Sequence, residues 1–313
     1  MDGADLELFE RSLRHATEHA GGAALDAALA ELGWPDALAI DRRAAVSILF
    51  ELQGAANVTS SALDRVVLSG LGLKAPAVVL PALGEWRSPG ELNEGRIRVH
   101  GLASAAFNTS ETALVVGTTG GADVAVAVAT AGLSIRAVHG IDPWLGLVAV
   151  TGETTAAEPQ PADWQNAVAL GQLAIGHELV GAARKMLELA CQHALERIQF
   201  GQPIGAFQAV RHRLADTLVA IETADAVLAT AWEDPSPHSP AMAKALAGRG
   251  ALTAARHCQQ VLAGIGFTTE HPLHLFIRRT IVLDQLLGGG SQLTRQLGAD
   301  ILRSSTLPPA FPL

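Results

Sequence analysis

The apolar positions of the chain change period twice. From Asp5 to about Gly72 they recur every three or four residues in "DLELFERSLRHATEH", "LDAALAELGW", "RRAAVSILFELQGA" and "SALDRVVLSGLG", which places an apolar stripe on each of a series of helices. Gly-Gly, Trp-Pro and Asn-Val-Thr-Ser-Ser separate them, and "GLGLK", Gly70 to Lys74, reads as a helix stop. From about Ala77 to Glu153 the runs shorten to "AVVL", "RIRVHG", "TALVVG", "DVAVAVA", "SIRAV" and "LVAVTG", broken by Gly, Asn-Thr-Ser and Asp-Pro, a pattern that predicts a small antiparallel barrel or sandwich. From about Pro161 the helical period returns in longer pieces near 163–198, 205–232, 239–264, 270–286 and 291–303, which predict a bundle. The expected fold class is α+β, with a helical domain over 1–76, a β domain over 77–158 and a helical bundle over 159–313.

Composition narrows the partners. At 313 residues the chain can bury a large core, and a net charge of −9 without any Lys/Arg run argues against nucleic acid or an anionic membrane as partner. Mean hydropathy is positive, yet no uncharged apolar run approaches the roughly 18 residues of a membrane span. The acidic start "MDGADLELFERSLRHATEH" lacks the basic and apolar regions of a secretory signal, so the cytoplasm is the expected location. Cys191 and Cys258, the only cysteines, lie in Ala/Leu-rich helical stretches and read as free thiols, with neither a disulfide framework nor a zinc cluster available.

One stretch raises a chemical question. "DQLLGGGSQLTRQ", Asp284 to Gln296, sets three glycines ahead of a helix, where free backbone N–H groups can hold phosphate. It matches neither the P-loop nor the dinucleotide fingerprint, and an inter-helix turn explains it as well. Two further stretches decide the context. "ERIQFGQPIGAFQAVRHRLAD", Glu196 to Asp216, joins two long helices, and "CQQVLAGIGFTTEHPL", Cys258 to Leu273, follows about fifty residues on. Together the three resemble the carboxy-terminal domain of the acyl-CoA dehydrogenase family. The family's R-x-x-F-G…F-Q, Q-x-x-G-G-x-G-[FY] and [YF]-E-G-T-[SA]-x-[IL]-x-R appear, in order, as Arg197 to Gly201 with Phe207 and Gln208, as Gln260 to Phe267, and as Leu287 to Arg295.

The resemblance implies an acyl-CoA dehydrogenase-like fold, with an abbreviated N-terminal helical domain, a small middle β-barrel domain and a C-terminal four-helix bundle. It also implies FAD lying across a dimer interface. The half lent in trans by one subunit to its partner's cofactor corresponds here to Arg197, Gln199, Phe200, Phe207, Gln208, Gln260, Val261, Leu262, Ala263 and Gly264, with Ala263 in place of the usual first glycine of the pair. Arginine is a permanent fork for phosphate oxygens, and a Gly-rich turn lets backbone approach closely.

The cis half is missing. The family's base is a carboxylate, either the glutamate of E-G-T, whose position is Gly288, or one on the bundle helix, whose position is Gly171, followed by Gln172. Neither carries an acid, so no catalytic residue is expected, and Asp284 and Glu178 are the nearest carboxylates along the chain. The flavin-contacting W-[IV]-[TS] strand has no counterpart in "GRIRVHGLASAAF", and "VVLPALGEWRSPGEL" replaces a longer flavin-contacting stretch. Trp86 and Trp144 read as packing residues.

What results is similar to the shortened, catalytically silent subunits of the α2β2 acyl-CoA dehydrogenases described for steroid degradation in actinobacteria. That likeness implies FAD shared with a full-length partner subunit, which carries the base and binds the acyl-CoA. An autonomous flavoenzyme with a displaced base and a non-redox acyl-CoA-binding or scaffold protein stay open as alternatives. The H-x-x-E-H spacing of "HATEH", His15 to His19, falls on a charged first helix and reads as a solvated face rather than a zinc site. His271 and His274, flanking Pro272 in "EHPLH", read as capping and packing residues.

Overall fold

The computed structural model describes residues 3–234 and 236–304. Five helices come first: α1 (Gly3–His19), α2 (Ala23–Glu31), α3 (Trp34–Ile40), α4 (Arg42–Ala56) and α5 (Ala62–Leu71). Asp41 caps α4 by accepting from Ala44 N at 3.1 Å, and Gly72, with φ of 67°, ends α5 in the left-handed conformation where the stop was expected. Their apolar stripes converge on a core of Leu13, Leu25, Trp34, Leu49 and Phe50, closed from the bundle side by Leu170 and Ala174. His15 and His19 lie side by side on the exposed face of α1, their ring centroids 4.3 Å apart and their planes tilted by 36°.

A sheet of eight strands follows: β1 (Leu80–Pro81), β2 (Gly90–Asn93), β3 (Arg96–Ala103), β4 (Thr112–Thr119), β5 (Ala122–Ala129), β6 (Ser134–Ala137), β7 (Val148–Thr155) and β8 (Gln160–Pro161). Its order is β6-β7-β3-β2-β4-β5-β8, with β1 paired to β3. The expectation of a purely antiparallel arrangement needs correction, because β2 and β4 run parallel, Gly90 opposite Gly117. The cause is a crossover. β3 folds back on β2 through Glu94 and Gly95, whose φ angles of 49° and 75° suit a tight hairpin. The chain then passes through the turn Ala105–Thr109 to the other side of β2, where β4 runs in β2's direction. β2 and β8 were not expected, since "GELN" offers one large apolar side chain and "QP" none.

The last block holds α6 (Trp164–Glu196), the small hairpin β9 (Ile198–Gln199) and β10 (Gln202–Pro203), then α7 (Gln208–Ala231), α8 (Ser239–Leu262), α9 (Leu273–Gln285) and α10 (Gly290–Ser304). Helices α6 to α9 form the bundle, and α10 leans on α8. The largest core joins Leu114 and Val116 of the sheet to Leu173, Ile175, Leu179 and Met186 of α6, so sheet and bundle share one apolar interior.

An ionic knot ties the blocks together. Arg279 of α9, fully buried, donates through Nε to Asp142 in the β6–β7 connection and through Nη1 to Val58 O at 2.8 Å beyond α4, and its Nη1 lies 3.5 Å from Glu178 of α6. Burial pushes the Glu178 carboxyl up to about 7, against the pull of Arg279. The knot also corrects one expectation. Asp142 and Leu145 both turn inward, which leaves Trp144 between them facing outward and 75% exposed, so it is not a packing residue. Trp86 does pack, half-buried against the main core.

Candidate functional site

Helix α6 is a 33-residue rod, and the two candidate regions lie at its opposite ends. Gly171 and Arg197 are 197 − 171 = 26 residues apart, about 39 Å at 1.5 Å per residue. Antiparallel packing brings the loop 286–290 and the start of α8 to the first end, and the hairpin 197–203 and the α8–α9 connection to the second.

At the first end the structure has closed the space. A Cβ placed on Gly171 would collide with Leu287 Cδ1, and one on Gly288, whose φ is 102°, would come within 2.8 Å of Leu293 Cδ2 and 3.1 Å of Trp86 Cε3. Gln172 Nε2 donates to Leu287 O at 2.9 Å. Lys244, fully buried on α8, donates from Nζ to Asp284 O at 2.7 Å and Gly288 O at 2.6 Å. Burial pulls its ammonium down to about 8, with the Asp284 charge opposing that shift. The glycine loop does not offer a phosphate cradle. Gly289 N donates to Gln292 Oε1 at 3.1 Å and Gly290 N to Asp284 Oδ1 at 3.4 Å, so these two amides are engaged within the chain.

Both neighbouring carboxylates already have partners within the chain. Asp284 also accepts from Gln285 Nε2 at 2.8 Å, and Glu178 belongs to the Arg279 knot seven residues along α6 from Gly171. Beside this end runs a groove of about 970 Å³, lined by Trp86, Arg87, Arg98, His100, Gln172 and Leu293 among others.

At the second end the side chains are presented outward. Arg197 caps the C-terminus of α6, is exposed, and enters no ion pair among the described residues. The β9–β10 hairpin turns on Phe200 and Gly201, with φ of 52° and 79°, the pair of positive angles a two-residue hairpin turn requires. That turn holds Phe200 92% exposed, edge-on to Phe207 with centroids 6.1 Å apart. Gln208 and Gln260 are exposed, while Gln199 folds back so that its Nε2 donates to Ile198 O at 2.8 Å. Val261 and Leu262 point into the core, which leaves only their main chain for a ligand. Ala263 sits at φ 52°, ψ −130°, a conformation that favours glycine, and Gly264 has open space where a side chain would be.

The two clusters are therefore separate within one chain. Exposed guanidinium, amide and aromatic groups at the second end have the chemistry that a dinucleotide's phosphates and rings require; at the first end, beside the groove, Leu287, Leu293 and Trp86 stand where a side chain at Gly171 or Gly288 would go. Sequence reasoning missed Lys244, which stands in "AMAKALAG" like any solvated lysine, and missed the knot around Arg279. Among the described residues no helix is long and apolar enough to cross a membrane.

Residues 164–302 match the acyl-CoA dehydrogenase C-terminal domain family. The acyl-CoA dehydrogenase IpdE2 of Mycobacterium tuberculosis is 32% identical over 311 residues, covering 92% of this chain and 94% of its own length. Among solved structures, a steroid acyl-CoA dehydrogenase variant, Tcur3481-Tcur3483, superposes with a TM-score of 0.81 at 20% identity over 97% of this chain and 99% of its own. The ChsE4-ChsE5 complex of Mycobacterium tuberculosis gives 0.80 at 18% identity, covering 98% of this chain and 99% of its own.

Proposed function

The chain belongs to the acyl-CoA dehydrogenase family, and on that premise we propose that it is a subunit of a heteromeric FAD-dependent acyl-CoA dehydrogenase, without a base of its own, that lends the trans half of an FAD site to a full-length partner. The observation carrying this reading is the contrast along α6: an outward-facing Arg197 lobe at one end and, at the other, a filled space where Gly288 and Gly171 stand for the base. FAD, when bound, supplies the acceptor for the substrate's β-hydride. The partner's carboxylate takes the α-proton. This chain's part is to hold the cofactor's far end through Arg197, Gln199, Phe200, Phe207 and Gln208, with Gln260 and the main chain of Val261 to Gly264.

The proposed assembly is α2β2 and the proposed substrate a bulky, steroid-derived acyl-CoA. The subject of one neighbouring structure is a steroid acyl-CoA dehydrogenase and that of another is a two-protein complex, which supports both points. The groove beside the filled end gives room for a large acyl group reaching over from the partner.

The test is co-expression with the full-length partner. One FAD per heterodimer is expected, and two would refute the division of labour. Arg197→Ala should weaken FAD binding roughly ten- to hundred-fold, the equivalent of one charge-assisted hydrogen bond of about 1.5–3 kcal/mol, while the subunits stay assembled. Asp284→Asn should leave turnover of the complex within a small factor; a loss of about 10³-fold would make Asp284 the base and this chain catalytic.

A further inference from the structure

The three blocks of the fold meet around a cavity of about 40 Å³, lined by Gln53 of α4, Asp64 of α5, Ser104 just after β3 and Glu178 of α6, between apolar walls that include Phe50 and Leu283. Two of its lining groups are carboxyls withdrawn from solvent, Asp64 being 1% and Glu178 5% exposed. Their partners are few. Asp64 Oδ2 accepts from Ser104 Oγ at 2.7 Å, while its Oδ1, equally buried, has no hydrogen-bond partner among the described residues. Glu178 has Arg279 Nη1 at 3.5 Å, but that guanidinium gives its Nε to Asp142 and its own Nη2 is unpartnered. On the half-buried side of the cavity, beside Thr59, Ser60 Oγ donates to Gln53 Oε1. An interior carboxyl oxygen is costly to leave alone in either form, because the ionised oxygen lacks a donor and the protonated one an acceptor.

We propose that this cavity is a buried-water site, in which one or two water molecules bridge Asp64 Oδ1 to the Glu178 carboxyl and make the two acids a shared proton store at the junction of the three blocks. The inference does not depend on the lending of a cofactor site. Size and chemistry point to the same occupant. One water needs about 10–15 Å³ of such space and two to four polar partners, which Asp64, Glu178, Gln53 and the hydroxyls of Thr59 and Ser104 supply. Water also serves either form of the acid, donating to a carboxylate and accepting from a carboxylic acid. A hard divalent cation takes about six or more oxygens, whereas most of this lining is apolar. The surrounding charges agree. Burial pushes both carboxyls up to about 7; at Asp64 the Ser104 hydroxyl and Arg65 oppose it and Asp26 of α2 adds to it, and at Glu178 Arg279 of α9 opposes it and Asp142 of the β6–β7 connection adds to it. Helix α4 brings no charge to the cavity, its Glu51 being paired with Arg184 at 2.8 Å. The folded chain thus holds protons that the unfolded chain, with carboxyls near pKa 4, releases. Their contribution to stability is complete below about pH 4 and is lost as pH rises to about 7, the unfolding constant growing by up to about tenfold per pH unit for each acid.

The experiment uses the full chain in its native assembly and takes three readings. A high-resolution crystal structure should show water within about 3 Å of Asp64 Oδ1; a dry cavity, or an ion with contacts of about 2.3–2.6 Å, overturns the assignment. Infrared spectra at pH 6 should contain the carbonyl stretch of protonated carboxyl groups, reduced in Asp64→Asn and reduced separately in Glu178→Gln. If the native protein lacks that band, or if both variants keep it whole, the two acids do not store protons and the proposal fails. Urea denaturation between pH 5 and pH 7 reads the linkage. The unfolding constant of the native protein should rise with pH more steeply than that of Asp64→Asn, by up to about tenfold per pH unit, and equal slopes reject the role of Asp64. Asp64→Asn preserves the side chain's shape and an oxygen for Ser104 to donate to; should it nonetheless fail to fold, the crystal structure and the infrared band of the native protein decide the matter.

Discussion

The two ends of α6 hold comparable amounts of glycine and amide, yet they have opposite fates. At the first end Leu287, Trp86 and Leu293 fill the space in front of Gly171 and Gly288, and Lys244 and Gln172 satisfy the loop's carbonyls. At the second, a hairpin turn with two positive φ angles keeps Phe200 and Arg197 in contact with solvent. The difference lies in where the polar groups find partners. A loop whose carbonyls and glycine amides are largely engaged within the chain has little left to offer a ligand, whereas an exposed arginine without an ion pair among the described residues retains its whole donor set.

The largest effect that would break this comparison is restoration of a carboxylate at the filled end. Gly171→Glu should cost more than about 3 kcal/mol, because it overpacks against Leu287 and buries an unpaired charge. Urea denaturation of the complex would read it, and an unchanged midpoint together with new activity from this chain would show that the end is not closed. Next comes pH. Lys244 is pushed down to about 8 in the folded chain, so between that value and its unfolded value near 10.4 the unfolded state binds more protons and stability should rise with pH, by up to about 3 kcal/mol. In Lys244→Met the same measurement should lose that rise; an identical slope in both proteins would mean another group titrates. The Arg197→Ala substitution then sharpens the open side, with its ten- to hundred-fold loss of FAD affinity and a stability change within about 0.5 kcal/mol, as befits an exposed residue. Smallest is Ala263→Gly, which relieves the positive φ and should stabilise by about 1 kcal/mol in thermal unfolding; a loss of stability there would mean the alanine methyl is needed.

Much of the open end was legible because its turns are written in residues with strong local preferences. Phe-Gly at the hairpin, Pro203 after it and the Gln260–Gly264 run each fix backbone shape or leave it free without help from distant parts of the chain. The helical periods gave α6 to α10 to within a few residues for the same reason. The filled end was legible only as an absence. That Gly288 and Gly171 lack carboxylates can be read directly, but that Lys244, buried in an Ala-rich helix, spans to two carbonyls of another element depends on α8 crossing the end of α9. Arg279 is similar: three blocks meet on one guanidinium, and no local pattern distinguishes it from its exposed neighbour Arg278. β2 was missed because its pairing, rather than its composition, makes it a strand.

The length of α6 has its own consequence. An unbroken run of 33 residues, about 50 Å at helical rise, places its two ends far beyond the range at which substitutions influence one another. Changes at the two termini of this rod should therefore combine additively. One terminus can then accumulate losses generation after generation without disturbing the other, and a lineage can discard its own chemistry there while its descendants go on serving a neighbour's.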